Sequence, residues 1–493
     1  MLALLLTGCP ALSPLDLQAP PKGEHWLRFV QITDIHITDV ESPARVVPFD
    51  IYQAGSWRPG EGYSVQVLDA LLQAVNRVHY AGLLGRNRPV DFALFTGDVV
   101  ENAQFNELRW FIDTLDGSVV TPDSGQLDAP ARAGDPLDNP HLPYNAVGLA
   151  KDIPWYPAMG NHDYCGNGNF TIDRSAADPV DWTAPIGPVI GGLMGLPNLN
   201  PPQTALMPTG TQSLAVILAG VQEPIDPNTF QLRMEDVAPG PVPGDPARHY
   251  ISKPIFVREM FNSTTQPYGH GFDLAARLTG RAFYSFRPKR DLPLRVIVLD
   301  SSGADAVTGF LGADGAISRD QFDGFFKPEI RAAREAGESV IVVTHHPSSA
   351  LIKPTVLPSV RPEEFTSYLA SQPNIIAHLC GHVHYHETIQ HPGRYPYPEI
   401  ITAALIDYPQ EGRIFDLYYD RDAKTFHLLN TFIGHAAQPT RLSATAYFRA
   451  TTDLFVDPES AETVERISYL DLSRIEEIAQ AAHGAKDTPP GGD

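Results

Sequence analysis

Polar side chains that can bind metals recur in this chain directly after short apolar runs, and that pairing limits the folds open to it. The run 27–32 leads to Asp34-Ile35-His36, and the run 91–95 ends at Gly97-Asp98. Residues 339–343 run into Thr344-His345-His346-Pro347, and 374–379 run into Gly381-His382-Val383-His384. Each run has strand length and most are rich in β-branched residues, as expected for a sheet buried on both faces. Each stops at a turn carrying polar groups, and open α/β sheets build their sites at the carboxyl ends of strands. Gly160-Asn161-His162-Asp163 is a further cluster of the same kind. Imidazole, carboxylate and amide donors together suit a pair of borderline divalent cations.

Between these clusters the periodicity turns helical. Val67, Leu68, Leu71, Leu72, Val75 and Val78 form one stripe over 63–81, and 105–115 gives a second helix after the Gly97-Asp98 loop. Ser318 reads as the N-cap of a third, running through Phe322, Phe325 and Phe326 toward Ala336. Beyond His384, residues 399–405, 413–419 and 425–431 read as strands, as does 294–300 upstream.

In order along the chain the motifs are Asp-x-His, Gly-Asp-x-x-Glu, Gly-Asn-His-Asp, a strand ending in His, and Gly-His-x-His. This set resembles the calcineurin-like metallophosphoesterase family from Phe29 to His384. The resemblance implies an α/β fold of four layers (α+β), with two packed mixed β-sheets in a β-sandwich flanked by helices and the metal site on loops at strand carboxyl ends. It implies Asp34, His36 and His384 as ligands of one metal, and Asn161, His345 and His382 as ligands of a second. Asp98 would bridge the two. His162 would protonate the leaving alkoxide, with Glu101 orienting its imidazole.

Elementary chemistry asks for the same residue types. Two cations roughly 3.5–4 Å apart need an anionic bridge and generate a hydroxide nucleophile near neutral pH, so no side-chain nucleophile is required. A general acid at the leaving oxygen typically adds about 100–10,000-fold. The expected activity is metal-dependent hydrolysis of a phosphoric ester, as a phosphomonoesterase or phosphodiesterase on a small substrate. The alternatives are a nucleotidase or cyclic nucleotide phosphodiesterase, or a non-catalytic metal-binding scaffold. The cofactors would be two divalent ions among Mn, Fe, Zn, Co and Ni. His36 and Glu101 stand where purple acid phosphatases have Gly and Tyr, and Asn102-Ala103 stands where protein Ser/Thr phosphatases have Arg-Gly. The expected branch is therefore neither of these.

Other histidines carry plainer readings. His79, His378, His427 and His435 read as hydrogen-bonded core residues. His346 reads equally as a structural group or as a second-layer or substrate contact, with His270 and His386 weaker cases of the same kind. Gly97, Gly160 and Gly381 read as tight-turn positions.

Charge and termini bound the partners. With 36 Lys plus Arg against 58 Asp plus Glu, the net charge of -22 repels nucleic acid, leaving a small phosphorylated substrate as the expected partner. Leu6-Thr7-Gly8-Cys9 resembles a bacterial lipoprotein box with Cys9 acylated, although the segment has no basic n-region and its apolar stretch is short. The expected location is extracytoplasmic, periplasmic or at the cell surface, with the lipid at Cys9 as the membrane link. A cytoplasmic protein with an accidental match is the alternative. Residues 1–24 then read as signal and Pro-rich tether, 25–440 as the phosphoesterase domain with an insertion at 164–280, and 441–493 as a helical extension (461–483) and tail. The Gly/Pro-punctuated insertion would wall the substrate pocket or decorate the surface, and a shorter one at 39–62 would form the opposite rim. Cys165 and Cys380 read as two buried thiols or a disulfide pair.

Overall fold

A computed structural model of the 493-residue chain describes residues 21–435 apart from 41, 43–57, 59, 84–86, 126–138, 166–167, 169–244, 304–312 and 353–358, together with 442–444, 446–447 and 450. The lipoprotein-type segment, most of the 164–280 insertion and the helix and tail expected after 461 lie outside these residues.

The described strands, in chain order, are β1 Glu24–Ile32, β2 Phe92–Phe95, β3 Val119–Val120, β4 Tyr144–Asn145, β5 Trp155–Pro157, β6 Tyr284–Phe286 and β7 Leu294–Val298. They continue with β8 Ser339–Val343, β9 Ile375–Cys380, β10 Glu387–His391, β11 Tyr397–Ile401, β12 Glu411–Asp420 and β13 Thr425–Gly434. Besides the short antiparallel pair β3-β4, one sheet runs β13-β12-β1-β2-β5 and the other β10-β11-β9-β8-β7-β6. Both are mixed. In the first, β1, β2 and β5 are parallel and β12 is antiparallel to β1. In the second, β7, β8, β9 and β11 are parallel, with antiparallel edges at β6 and β10.

Alternation along the second sheet shows how the layers stack. Val296, Val298, Ile341 and Val343 join one large core cluster with Phe29, Phe92 and Leu94 of the first sheet. Ile297, Val340 and Val342 point the other way, into a separate cluster with Phe322, Phe326, Ile330, Phe365 and Leu369. Period-two alternation with both faces apolar places the sheet between its partner and a helical layer. Helix Ser64–Ala81 covers the outer face of the first sheet with Leu68, Leu71, Leu72 and Val75, which are buried in the large cluster. Helix–sheet–sheet–helix is the four-layer arrangement expected from the motifs.

The third predicted helix forms in three pieces. The Ser318 side chain accepts from the Gln321 N–H at its start, Phe322–Phe326 makes a π-helical turn, and Lys327–Glu335 continues as α-helix. Strand β5 was not legible in advance, because it is only three residues long and ends at Pro157. It supplies the Asn161 cluster with a strand end of its own. Among the described residues, no helix is long and apolar enough to cross a membrane.

The described part of the long insertion, from Asp245 onward, returns along the edge of the first sheet. Trp155 N donates to Gln266 O at 3.2 Å, and Ile251 N donates to Ala103 O at 2.8 Å. Arg248, fully buried, donates through Nε to Asp39 Oδ2 at 3.2 Å and to Ser124 Oγ at 3.1 Å. Cys165 and Cys380 are both buried and form no disulfide with each other.

Candidate metal centre

Five strand ends converge on one place. Asp34 and His36 follow β1, Asp98 follows β2, Asn161 follows β5, His345 follows β8, and His382 and His384 follow β9. Main-chain bonds knit the loops together. Asp34 N donates to Gly97 O at 3.0 Å, His36 N to Asp98 O at 3.0 Å, and Gly381 N to His345 O at 2.8 Å.

The backbone here is unusual. Asp34, His36, Asp98, His382 and His384 all have φ between 49° and 74°, the left-handed region that L-residues rarely enter. Such conformations cost about 1–3 kcal/mol each and persist where surrounding structure enforces them, typically at functional sites. Of the three glycines read as turn positions, only Gly97 has this geometry, at φ +101°. Gly160 and Gly381 are glycines for lack of room: a Cβ would meet Asp98 Oδ1 at 2.0 Å and Thr33 Oγ1 at 2.1 Å respectively.

Five of the seven expected ligands fall into two donor sets that overlap at Asp34. Asp34, His36 and His384 have ligand atoms within 4.8 Å of one another, as do Asp34, Asp98 and His345. His384 Nε2 is 3.4 Å and His36 Nε2 4.0 Å from Asp34 Oδ1, while His36 Nε2 lies 3.9 Å from Asp98 Oδ2. His345 Nε2 is 3.1 Å from both Asp98 Oδ2 and Asn161 Oδ1. Metal–ligand bonds of about 2.0–2.2 Å place neighbouring donors roughly 3–4 Å apart, so these separations fit cations. The His36 Nε2 atom supplies an independent check. It is buried with no hydrogen-bond partner, which is costly for a polar atom and natural for a ligand. His382 packs against His345 at 5.1 Å between ring centroids and against His346 at 4.4 Å.

The other ring nitrogens are held in ways that set each tautomer. His345 Nδ1 pairs with Thr96 O at 2.8 Å, His36 Nδ1 with Glu101 Oε2 at 2.5 Å, and His384 Nδ1 with Asp407 Oδ2. An Nδ1–H donated outward leaves Nε2 facing inward with its lone pair, the arrangement typical of metal-binding imidazoles. Burial pushes His36 down to about 4 and His382 to about 3, which keeps both neutral. Burial would also lower His345, but Asp98 and Asp34 raise it to about 9. Burial would raise the Asp98 carboxyl, yet His345 and His162 hold it well below its usual range.

His162 sits beside this centre with Nδ1 2.8 Å from the main-chain oxygen of Glu101 and 3.6 Å from its Oε2. Glu101 therefore orients His162 through its carbonyl, while its carboxylate serves His36. Gly168 lies against the far edge of the ring, where a Cβ would approach Nε2 to 2.2 Å.

Three supporting residues had no assigned role in the sequence. Asp407 comes from the turn after β11 and Arg58 from the segment before helix Ser64–Ala81. Asp163, inside a recognised motif, accepts from Val99 N at 2.8 Å, Val100 N at 3.1 Å and Gly160 N at 2.8 Å, tying the second and third ligand loops together. Only Asp163 carried a signal, its place in Gly160-Asn161-His162-Asp163.

The remaining histidines divide. His346 pairs with Ser301 Oγ through Nδ1 at 2.8 Å and with Ala313 O through Nε2 at 3.2 Å, so both nitrogens are engaged although the ring borders His382. His79 pairs with Val90 and Asp152, His378 with Thr344 and Glu399, and His435 with Gln410, as expected of structural groups. His427 is half-buried on β13 rather than in the core. His270 stacks on Trp155 at 3.5 Å, and His386 accepts from Ala403 N at 3.0 Å.

Comparison with known proteins adds a family. Residues 27–204 match the family model for calcineurin-like phosphoesterases. None of the curated proteins compared with the chain is significantly similar to it. Among solved structures, a dimetal phosphatase from Danio rerio is 13% identical at a TM-score of 0.43, over 84% of this chain and 97% of its own. A sulfate thiohydrolase, SoxB, from Thermus thermophilus is 10% identical at a TM-score of 0.35, over 90% of this chain and 62% of its own. A 5'-nucleotidase precursor from Thermus thermophilus is 11% identical at a TM-score of 0.35, over 90% of this chain and 59% of its own. The chain thus spans about three-fifths of the latter two.

Proposed function

We propose that this chain, a phosphoester hydrolase with a calcineurin-like phosphoesterase domain, cleaves a phosphomonoester or phosphodiester of a small substrate at the convergence of its five ligand loops. The observation that carries this reading is the inward-facing, unpartnered Nε2 of His36 within 4.0 Å of Asp34 and 3.9 Å of Asp98. Two divalent cations held there would supply Lewis-acid stabilisation of the phosphoryl oxygens and an activated water. The protein's own residues do the rest. Asp98 lies between the two donor sets, because its Oδ2 is 3.1 Å from His345 Nε2 and 3.9 Å from His36 Nε2, while its Oδ1 accepts from His162 N at 2.8 Å. That contact fixes the acid relative to the bridge. With its Nδ1–H donated to the Glu101 carbonyl, His162 can carry a second proton on Nε2 and deliver it to a leaving oxygen.

The deciding experiment assays metal-stripped and Mn2+-loaded protein against an aryl phosphate, a bis-aryl phosphate, a mononucleotide and a cyclic nucleotide. Metal-dependent turnover of at least one ester is expected, and the pattern distinguishes monoesterase, diesterase and nucleotidase. Tight metal binding without turnover of any would favour a scaffold. The same proposal includes anchoring through Cys9. Cys9→Ser should move the protein from membranes to the soluble fraction, and unchanged fractionation would remove that part.

A further inference from the structure

Arg58 is only 6% exposed and has no part in the chemistry assigned to the site above. Its Nε donates to Asp407 Oδ1 at 2.8 Å, and its Nη1 lies 3.6 Å from Glu101 Oε2. Those are the two carboxylates that take Nδ1 of His384 and Nδ1 of His36. Both imidazoles belong to a single donor set, completed by Asp34. His345, in the other set, is oriented by a main-chain carbonyl instead.

We infer that Arg58 is a positioning residue: it locks the Asp34–His36–His384 donor set through Glu101 and Asp407, and so controls affinity for one of the two cations. This rests on the reading that these donors hold a cation. A planar guanidinium offers several donors in fixed directions and reaches two carboxylates at once, which an ammonium on a flexible stem does not reproduce. Fixing each carboxylate fixes the imidazole that donates to it, and Nε2 is then aimed at the shared centre. Coulomb's law alone gives the opposite sign, since a positive charge near a cation site repels the cation. Here the two carboxylates that Arg58 contacts largely neutralise it. Outer-layer orientation of metal ligands is commonly worth about 10–100-fold in affinity, so orientation should prevail.

The test is Mn2+ binding to the metal-stripped full-length protein, measured by equilibrium dialysis and by the electron paramagnetic resonance of bound ion, for wild type, Arg58→Gln and Arg58→Lys. Wild type should show two sites. Arg58→Gln should keep one at wild-type affinity and weaken the other by about 10–100-fold. Arg58→Lys should resemble the Gln variant more than wild type. At saturating Mn2+, kcat should recover with KM unchanged. The unaltered site reports that the variant is folded. Equal affinities in all three proteins, or a tightened site in Arg58→Gln, would overturn the inference, as would equal weakening of both sites. Wild-type protein that binds no Mn2+ would instead overturn the functional reading beneath it.

Discussion

His162 leans on the main chain of Glu101 and not on its side chain: Nδ1 is 2.8 Å from the carbonyl oxygen and 3.6 Å from Oε2. The carboxylate is committed to His36 at 2.5 Å. One residue serves two imidazoles with two different groups, so loss of the acid and loss of the Glu101 side chain should have separable consequences.

Removal of the acid comes first. His162→Ala should retain metal, because the ring pairs with a main-chain carbonyl and is not among the expected ligands. Turnover of esters with poor leaving groups should fall about 100–10,000-fold, while activated aryl esters, which leave without a proton, should lose far less. A leaving-group series in wild type and variant measures this, and parallel losses across the series would remove His162 from the role.

Glu101→Gln should act on the metal instead. The amide can still pair with His36 but no longer carries the charge that supports that imidazole as a ligand. Metal affinity should drop about 10–100-fold, with the leaving-group dependence unchanged. Metal titration and the same ester series read the two effects separately. A steepened leaving-group dependence in this variant would return the carboxylate to the service of His162.

Asp98 Oδ2 lies between His345 of one set and His36 of the other, so Asp98→Asn should be harsher than any outer-layer change. Metal content and activity should fall together by more than the roughly 10–100-fold typical of supporting residues. Elemental analysis of purified protein checks the first and turnover at fixed added Mn2+ the second. Retention of both would mean the two donor sets do not share this carboxylate.

The expected ligands were legible because each sits in a short linear motif at the end of an apolar strand, and linear patterns survive without a fold. Their support was not. Asp407 meets His384 across 23 residues and Arg58 across 349, pairings that only the closed sheets create. Nor could the sequence say which of two oxygen-bearing groups of Glu101 would face His162, since both belong to one residue. Strand β10, Glu387-Thr388-Ile389-Gln390-His391, escaped for a different reason. It is a half-exposed edge strand with polar residues, and carries none of the apolar run that marked its neighbours. The left-handed φ angles at five candidate ligands likewise have no mark in the sequence, because Asp and His are placed there by the loops they join.

Far from the metal centre, the pairing that fastens β1 to β12 predicts a pH effect. Arg28, fully buried, donates through Nε to Asp416 Oδ1 at 2.8 Å and through Nη2 to Oδ2 at 2.9 Å, and the two residues lie opposite one another in the ladder. Burial would raise the Asp416 carboxyl, but His25 and Arg28 more than offset it and lower it from 3.8 to about 2. As pH falls, the unfolded chain takes up this proton before the folded one does. The stabilisation is therefore present above pH 3.8 and is lost as pH falls toward about 2. Asp416→Asn, which removes the negative charge facing a buried guanidinium, should cost about 3–5 kcal/mol at pH 7. Denaturant unfolding of both proteins at pH 7, 5 and 3 should show that gap narrowing only at the lowest pH. A gap of constant size across the series would mean that the ion pair is not what the substitution removes.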